Sequence, residues 1–238
     1  MLDHTDWLPF WKDFYVLDLQ LLDGHVCVSL TPDDSSLTCG GCAKPCRQIH
    51  ERVRRRVRDL PMLGHPVILD LILYRLECPD CGHCLQQVSW LDKHARLTKR
   101  LAQAAAECCA RLPVAHVADM FGLHWSTVRR LDHQRLQSLV ASLPTAQPRR
   151  LIMDEFALFK GHRYASVILD ADTRRVLYVA QDRSRRAIRP FFEQLGPEGC
   201  ARIEAVAMDM NTAFDLEVRA RCPRARVVYD LFHVIAKY

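Results

Sequence analysis

The sequence predicts a multidomain α+β chain, and three patterns carry that reading. Two C-x₂-C pairs bracket strand-like segments in the first third, an alanine-rich helical stretch with helix-turn-helix spacing follows, and the last third runs as three strands and then alternating helices and strands. At 238 residues and 49% hydrophobic content the chain can bury several small cores and is not a disordered tail. The composition shifts divide it into a β-hairpin region at 1–37, a zinc ribbon at 38–90, a helix-turn-helix domain at 91–142, a linker at 143–150 and an α/β region from 151 to 238.

Charge and cysteine usage narrow the function classes. The formal charge of +5 and pI near 8.7 are mild, but the distribution is uneven: residues 1–38 hold seven aspartates against Lys12, whereas 44–58 hold Lys44 and six arginines against Glu51. That asymmetry points to a polyanionic partner for the second segment. No apolar run reaches membrane-spanning length and the N-terminus is acidic where a secretory signal would be basic, so no membrane partner and a cytoplasmic location are expected. In such a compartment eleven cysteines favour reduced thiols and metal ligation over disulfides.

In chain order, "YVLDLQLLDGHVCVSLT" alternates around Asp23-Gly24, a strong short hairpin signal. Next, "CGGC" and "CPDCG" place Cys39, Cys42, Cys78 and Cys81 as two pairs whose turns aim thiolates at one ion, a closed structural Zn²⁺ site. Cys46 and Cys84 are rival ligands, with His83 behind them; Cys27, Cys108, Cys109, Cys200 and Cys222 read as core residues. Between the pairs, "RQIHERVRRRVRDLP" and "VILDLILYRL" supply two strands. Val53 and Val57 mark one side of the first, with Arg52, Arg54 and Arg56 on the other, Arg55 breaking the alternation and Arg58 following, a row suited to phosphate oxygens or else a solvated basic face.

In "PVAHVADMFGLHWSTVRRLDHQRL", Ala118, Gly122, Val128 and Leu131 have the spacing of a helix-turn-helix, the glycine at the turn and the second helix offered to the major groove of double-stranded DNA. Ser126, Thr127, Arg129 and Arg130 would face DNA, with His124 and Trp125 near the helix start; a plain helical hairpin needs the same apolar anchors, and Trp125 fits packing equally well. Pro144 and Pro148 then mark the linker.

The α/β region carries carboxylates where apolar strands would exclude them: Asp154 in "RLIMDEF" and Asp209 in "IEAVAMD". If those strands are neighbours, both carboxylates point to one side and hold hard divalent cations, Mg²⁺ or Mn²⁺, as phosphoryl transfer requires. Glu155 falls on the opposite face and is expected to be structural; Glu217, in the helix after the Asp209 strand, is expected at the surface.

The segments "MDEFALFKGHRYASVILD", "RRVLYVAQDRSRRAIRPFFEQLGPEG", "IEAVAMDMNTAF" and "VVYDLFHVIAKY" resemble the catalytic domain of the ISL3 family of insertion-sequence transposases, and the upstream ribbon and helix-turn-helix match that family's arrangement over about 38–238. The resemblance implies a ribonuclease-H-like DDE domain, here partial, that cleaves DNA and joins strands at terminal inverted repeats and target DNA, with Asp154 and Asp209 as the first two acids. In the family the third, a glutamate, lies beyond the segment like "DLFHVIAKY", and Tyr238 is only 29 residues past Asp209. The expectation is therefore a catalytic domain cut short before its third acid, with apolar sheet surface exposed. Asp230 and His233 stand near the metals without a family motif to make either one that acid. Asn211-Thr212 occupy a site where the family commonly has tryptophan-proline. Lys160, His162 and Arg163 would position strands or neutralise phosphate, Arg183, Arg185, Arg186 and Arg189 would track backbone, and synapsis of two ends implies a homodimer. The alternative functions are a non-catalytic DNA-binding regulator and a zinc-stabilised protein-interaction module.

Overall fold

The computed structural model of the chain describes residues 10–159 and 163–230. The chain divides into two units, 1–143 and 144–238. Lys160, His162 and His233, singled out by the sequence, lie outside the described residues.

The first unit is built on a five-stranded sheet in the order β1-β2-β4-β3, with β5 on β4. β1 (Phe14–Leu22) and β2 (His25–Pro32) form the expected hairpin, whose turn puts Asp23 at φ 49° and Gly24 at φ 77°. Two consecutive left-handed residues make the turn whose twist matches that of the strands. β3 (Ile49–Met62) and β4 (His65–Cys78) form a second hairpin, and β5 (Gly82–Leu85) returns along β4.

The N-terminal hairpin does not stand apart from the ribbon strands. β2 pairs in parallel with β4, Val26 opposite Val67 through Leu30 opposite Leu71, and their inward side chains share one core with Trp11, Phe14, Val57 and Leu91. An isolated two-stranded hairpin is marginal in water, so its apolar face joins the nearest sheet. Asp59 ties this sheet to the helices: fully buried, it accepts from Trp11 Nε1 at 2.8 Å, Thr98 Oγ1 at 2.6 Å and Arg100 Nε at 2.7 Å.

α1 (Lys99–Cys108), α2 (Val114–Phe121) and α3 (Trp125–Ser142) enclose a small core of Ala105, Val117, Ala118, Val128 and Leu131. Gly122 closes α2 with φ 56°, a left-handed cap that glycine adopts without a Cβ penalty.

The second unit holds the sheet β10-β9-β6-β7-β8. β6 (Arg150–Phe159), β7 (Arg163–Asp170) and β8 (Val176–Gln181) are antiparallel neighbours; β9 (Ala205–Met208) and β10 (Arg226–Tyr229) run parallel to β6. The order of three strands, helix, strand, helix and strand is the one the sequence predicts. α4 (Arg185–Arg202) breaks at Gly196, φ 72°, before Pro197, and α5 is Thr212–Arg221. Both helices cover one sheet face, where Leu151, Met153, Ile168, Val206 and Met208 meet Ile188, Phe192, Phe214 and Val218. Strand alternation then sends Ile152, Asp154 and Phe156 to the other face, where Ile152, Phe156, Val179 and Val228 are exposed.

Glu217 corrects an expectation. It is buried, not at the surface, because α5 turns it toward α4, and it accepts from Arg185 Nε at 2.9 Å, Arg189 Nε at 3.1 Å and Arg221 Nε at 3.3 Å. Of the cysteines read as core, Cys200 and Cys222 are buried, while Cys27, Cys108 and Cys109 are half-buried.

Candidate functional site

The sulfurs of Cys39, Cys42, Cys78 and Cys81 all lie within 4.8 Å of one another. Cys42 Sγ and Cys78 Sγ are 3.7 Å apart, close to the edge of a tetrahedron with Zn–S bonds of about 2.3 Å. The glycines of "CGGC" make the approach possible: a Cβ on Gly40 would sit 2.4 Å from Leu85 O, and one on Gly41 would sit 3.0 Å from Cys81 Sγ. Gly41 N–H donates to Cys39 Sγ at 3.3 Å, and Lys44 pairs with Asp80 at 2.6 Å across the two turns. Backbone N–H groups of Cys42 and Gly41 lower the Cys39 thiol to about 6, while the neighbouring Cys42 thiol and burial push Cys81 up to about 12. Four thiolates this close need a cation to ionise together, so the donor set fits structural zinc. The rivals stand aside: Cys46 donates to Glu77 O at 3.1 Å, Cys84 to Cys81 O at 3.6 Å, and His83 stacks on His50 at 3.9 Å.

The arginine strand is less uniform than its sequence. Arg55 interrupts the apolar side as expected: it lies on the Val53–Val57 face and donates to Ala95 O at 2.5 Å. Arg54 grips Asp70, its Nε at 2.8 Å from Oδ1. Arg58 donates to Phe121 O at 3.1 Å and so fastens β3 to the helix-turn-helix turn. Arg52, over the Tyr74 ring at 5.7 Å, and Arg56 remain exposed.

At the start of α3, His124 Nδ1 caps the helix by accepting from Ser126 N at 3.3 Å and lies 2.7 Å from Ser126 Oγ. Ser126, Arg129 and Arg130 are exposed and Thr127 is half-buried. Trp125 is 48% exposed, with the Arg129 guanidinium 5.4 Å over its ring, so it packs on a neighbour of its own helix and not in the core.

In the second unit, Met153 pairs with Met208 across β6 and β9, and Met208 pairs with Tyr229 across β9 and β10. Asp154, Asp209 and Asp230 each come one residue later, so three aspartates stand in one register row, Asp154 within β6 and Asp209 and Asp230 just past the ends of β9 and β10. All three line one cleft of ≈ 290 Å³ on the face away from α4 and α5. Asp154 Oδ1 accepts from Glu155 N at 2.8 Å, and Asp209 Oδ1 accepts from Asn211 N at 3.1 Å. Oxygen donors converging on a cleft wall suit a hard divalent cation. Glu155 points to the helix side, as its alternation requires, and accepts from Asn211 Nδ2 at 3.0 Å and Arg183 Nη1 at 3.1 Å.

Several named groups are engaged within the protein. Arg185 and Arg189 are tied to Glu217 and Arg183 to Glu155, whereas Arg186 and Arg163 are placed at the starts of α4 and β7. Sequence reading missed Asp59, Arg100 and the Asn211 bridge. Only Asn211 carried a local signal, as an N-cap residue type before a helix.

Comparison with known proteins matches residues 36–81 to the zinc finger of the transposases IS204/IS1001/IS1096/IS1165, 86–136 to the helix-turn-helix domain of transposase family ISL3, and 151–238 to the ISL3 DDE transposase domain. The chain is 46% identical over 212 residues to the transposase for insertion sequence element IS1001 of Bordetella parapertussis, covering 89% of the chain and 52% of that protein. It is 27% identical over 205 residues to the transposase for insertion sequence element IS1557 of Mycobacterium tuberculosis, covering 83% of the chain and 45% of that protein. The chain thus spans about half the length of the curated relatives it matches. With zinc ribbon, helix-turn-helix and DDE domain matched in that order, the chain belongs to the ISL3 family of transposases.

Proposed function

We propose that this chain acts in DNA transposition as an insertion-sequence transposase. The first unit binds double-stranded DNA at the element's terminal inverted repeats, and the second carries acids for metal-dependent cleavage and strand transfer into target DNA. One observation carries the catalytic part: Asp154 and Asp209 directly follow paired residues of adjacent parallel strands and line one cleft on the sheet face away from α4 and α5.

In this reading Cys39, Cys42, Cys78 and Cys81 hold structural Zn²⁺, and Asp154 and Asp209 hold Mg²⁺ or Mn²⁺. Divalent cations bound there supply activation of an attacking oxygen and neutralisation of charge at the phosphate. The protein's own part is orientation. Backbone N–H groups of Glu155 and Asn211 fix one oxygen of each carboxylate, and the strand register brings both acids to the cleft. Ser126, Thr127, Arg129 and Arg130 face the major groove, and Arg52 and Arg56 meet phosphates. Arg54, Arg55 and Arg58 hold the basic strand in place, as their internal bonds support. Lys160, His162 and Arg163 position the bound strand or neutralise phosphate charge. Joining two element ends calls for at least a homodimer, in the cytoplasm where thiols stay reduced.

Nicking of a duplex carrying the terminal repeat, dependent on Mg²⁺ or Mn²⁺ and abolished by Asp209→Asn with DNA binding retained, is the expected result. Binding of the same ends with no metal-dependent nicking would favour the non-catalytic regulator, which the three family matches do not.

A further inference from the structure

The two acids of the cleft are linked through Glu155 and Asn211 by a chain of three hydrogen bonds. Asp154 accepts from the backbone N–H of Glu155 at 2.8 Å, and Asp209 accepts from the backbone N–H of Asn211 at 3.1 Å. The side chains of those two donors then meet, Asn211 Nδ2 donating to Glu155 Oε2 at 3.0 Å. The other end of the amide is also fixed, because Asn211 Oδ1 accepts from Ala213 N at 2.8 Å and caps α5. A carboxylate can only accept and a backbone N–H can only donate, so the two neighbours dictate which way the amide points. Arg183 completes the brace: it donates to Glu155 Oε1 at 3.1 Å and lies 4.4 Å over the Tyr164 ring.

From these contacts we infer that Asn211, braced by Glu155 and Arg183, is a positioning residue that sets the separation and orientation of the Asp154 and Asp209 carboxylates for a divalent cation. The inference rests on the reading of those aspartates as a cation site. The acids are held differently: β6 continues past Asp154 through Phe159, whereas β9 stops at Met208 and leaves Asp209 in a short connection to α5. Without a cross-link that connection moves with α5. The Asn211–Glu155 bond ties it to β6 at the residue next to Asp154. Glu155 is therefore more than a core-side residue of β6.

Capping of α5 and positioning of the acids are separable. Asn211→Ser keeps a side-chain oxygen for Ala213 N–H and the backbone donor to Asp209, but removes the amide donor to Glu155. Glu155→Ala removes the acceptor from the other side and leaves the cap untouched. The readout is Mn²⁺ affinity of the zinc-loaded full chain, followed by the electron paramagnetic resonance signal of free Mn²⁺, with thermal unfolding in parallel. The expected result is a site in the parent chain that Asp209→Asn abolishes and that Asn211→Ser and Glu155→Ala each weaken about tenfold, the usual size of an outer-shell effect, with little change in the unfolding midpoint. Parent-like Mn²⁺ affinity in both variants, with Asp209→Asn still abolishing the site, would overturn the positioning role alone. A parent chain with no Mn²⁺ site sensitive to Asp209→Asn would instead remove the cation reading, and the positioning role with it.

Discussion

Asp59 has no solvent contact, yet Trp11, Leu60, Thr98 and Arg100 all donate to it. Burial alone would raise its carboxyl, and these donors, Arg100 first, hold it below the ordinary carboxylate value. Asp59→Asn leaves the partly exposed Arg100 unpaired and gives Trp11 and Thr98 a weaker acceptor, so it is expected to cost the first unit about 2 kcal/mol in urea unfolding. Glu217 repeats the arrangement in the second unit: burial pushes its carboxyl up, and Arg189 and Arg185 bring it below the usual range. A carboxyl lowered in the folded state contributes stability that is complete above its unfolded value and is lost as pH falls through the folded one. Both units should therefore hold their stability down to about pH 4.5 and lose it below, and Glu217→Gln should flatten that acid limb for the second unit. Neither hub was legible in the sequence, because their partners come from distant segments. Cys39, Cys42, Cys78 and Cys81 were legible, since a C-x₂-C turn fixes its own thiol geometry.

At the scale of elements, the local signals were sufficient wherever turn chemistry decides. Asp23-Gly24 and Gly122 both adopt the left-handed backbone their residue types suggest. Gly122→Ala adds a Cβ that meets only Arg58 Nη2 at an ordinary 3.6 Å, so its cost, about 1 kcal/mol by thermal unfolding, is that of the backbone conformation. Gly40→Ala is different in kind. Its Cβ would meet the backbone carbonyl of Leu85 at 2.4 Å, which cannot move without shifting the first thiol turn, and zinc retention under competition with a chromophoric chelator is expected to fall. Alternation also located Asp154 and Asp209, because in-register parallel strands put matched residues on one face. The parallel pairing of β2 with β4 was not legible, since nothing within either strand names a partner so far along the chain. The internal contacts of the arginine run were not legible for a related reason: composition counts guanidiniums, while register decides that Arg55 faces Ala95 and Arg58 faces Phe121.

For the whole molecule, hairpin, ribbon and helix-turn-helix form one unit held through Asp59 and Arg58, and the acid cleft belongs to the other. Removing zinc should lower the melting transition of the first unit and leave that of the second in place, as scanning calorimetry with and without chelator would show. The exposed Ile152, Phe156, Val179 and Val228 give the second unit an apolar sheet face among the described residues, in line with the sequence expectation of exposed surface there and a reason to expect limited solubility. Among the described residues no helix is long and apolar enough to cross a membrane. The central claim is that this chain works on DNA, and the salt dependence of duplex binding by the zinc-loaded protein tests it most directly. Affinity that falls at least about tenfold between about 50 and 200 mM salt, with a shallower slope for Arg129→Ala and Arg130→Ala, is the predicted result. No duplex binding at the low end of that range would contradict the account and return the ribbon and helices to a protein-interaction role.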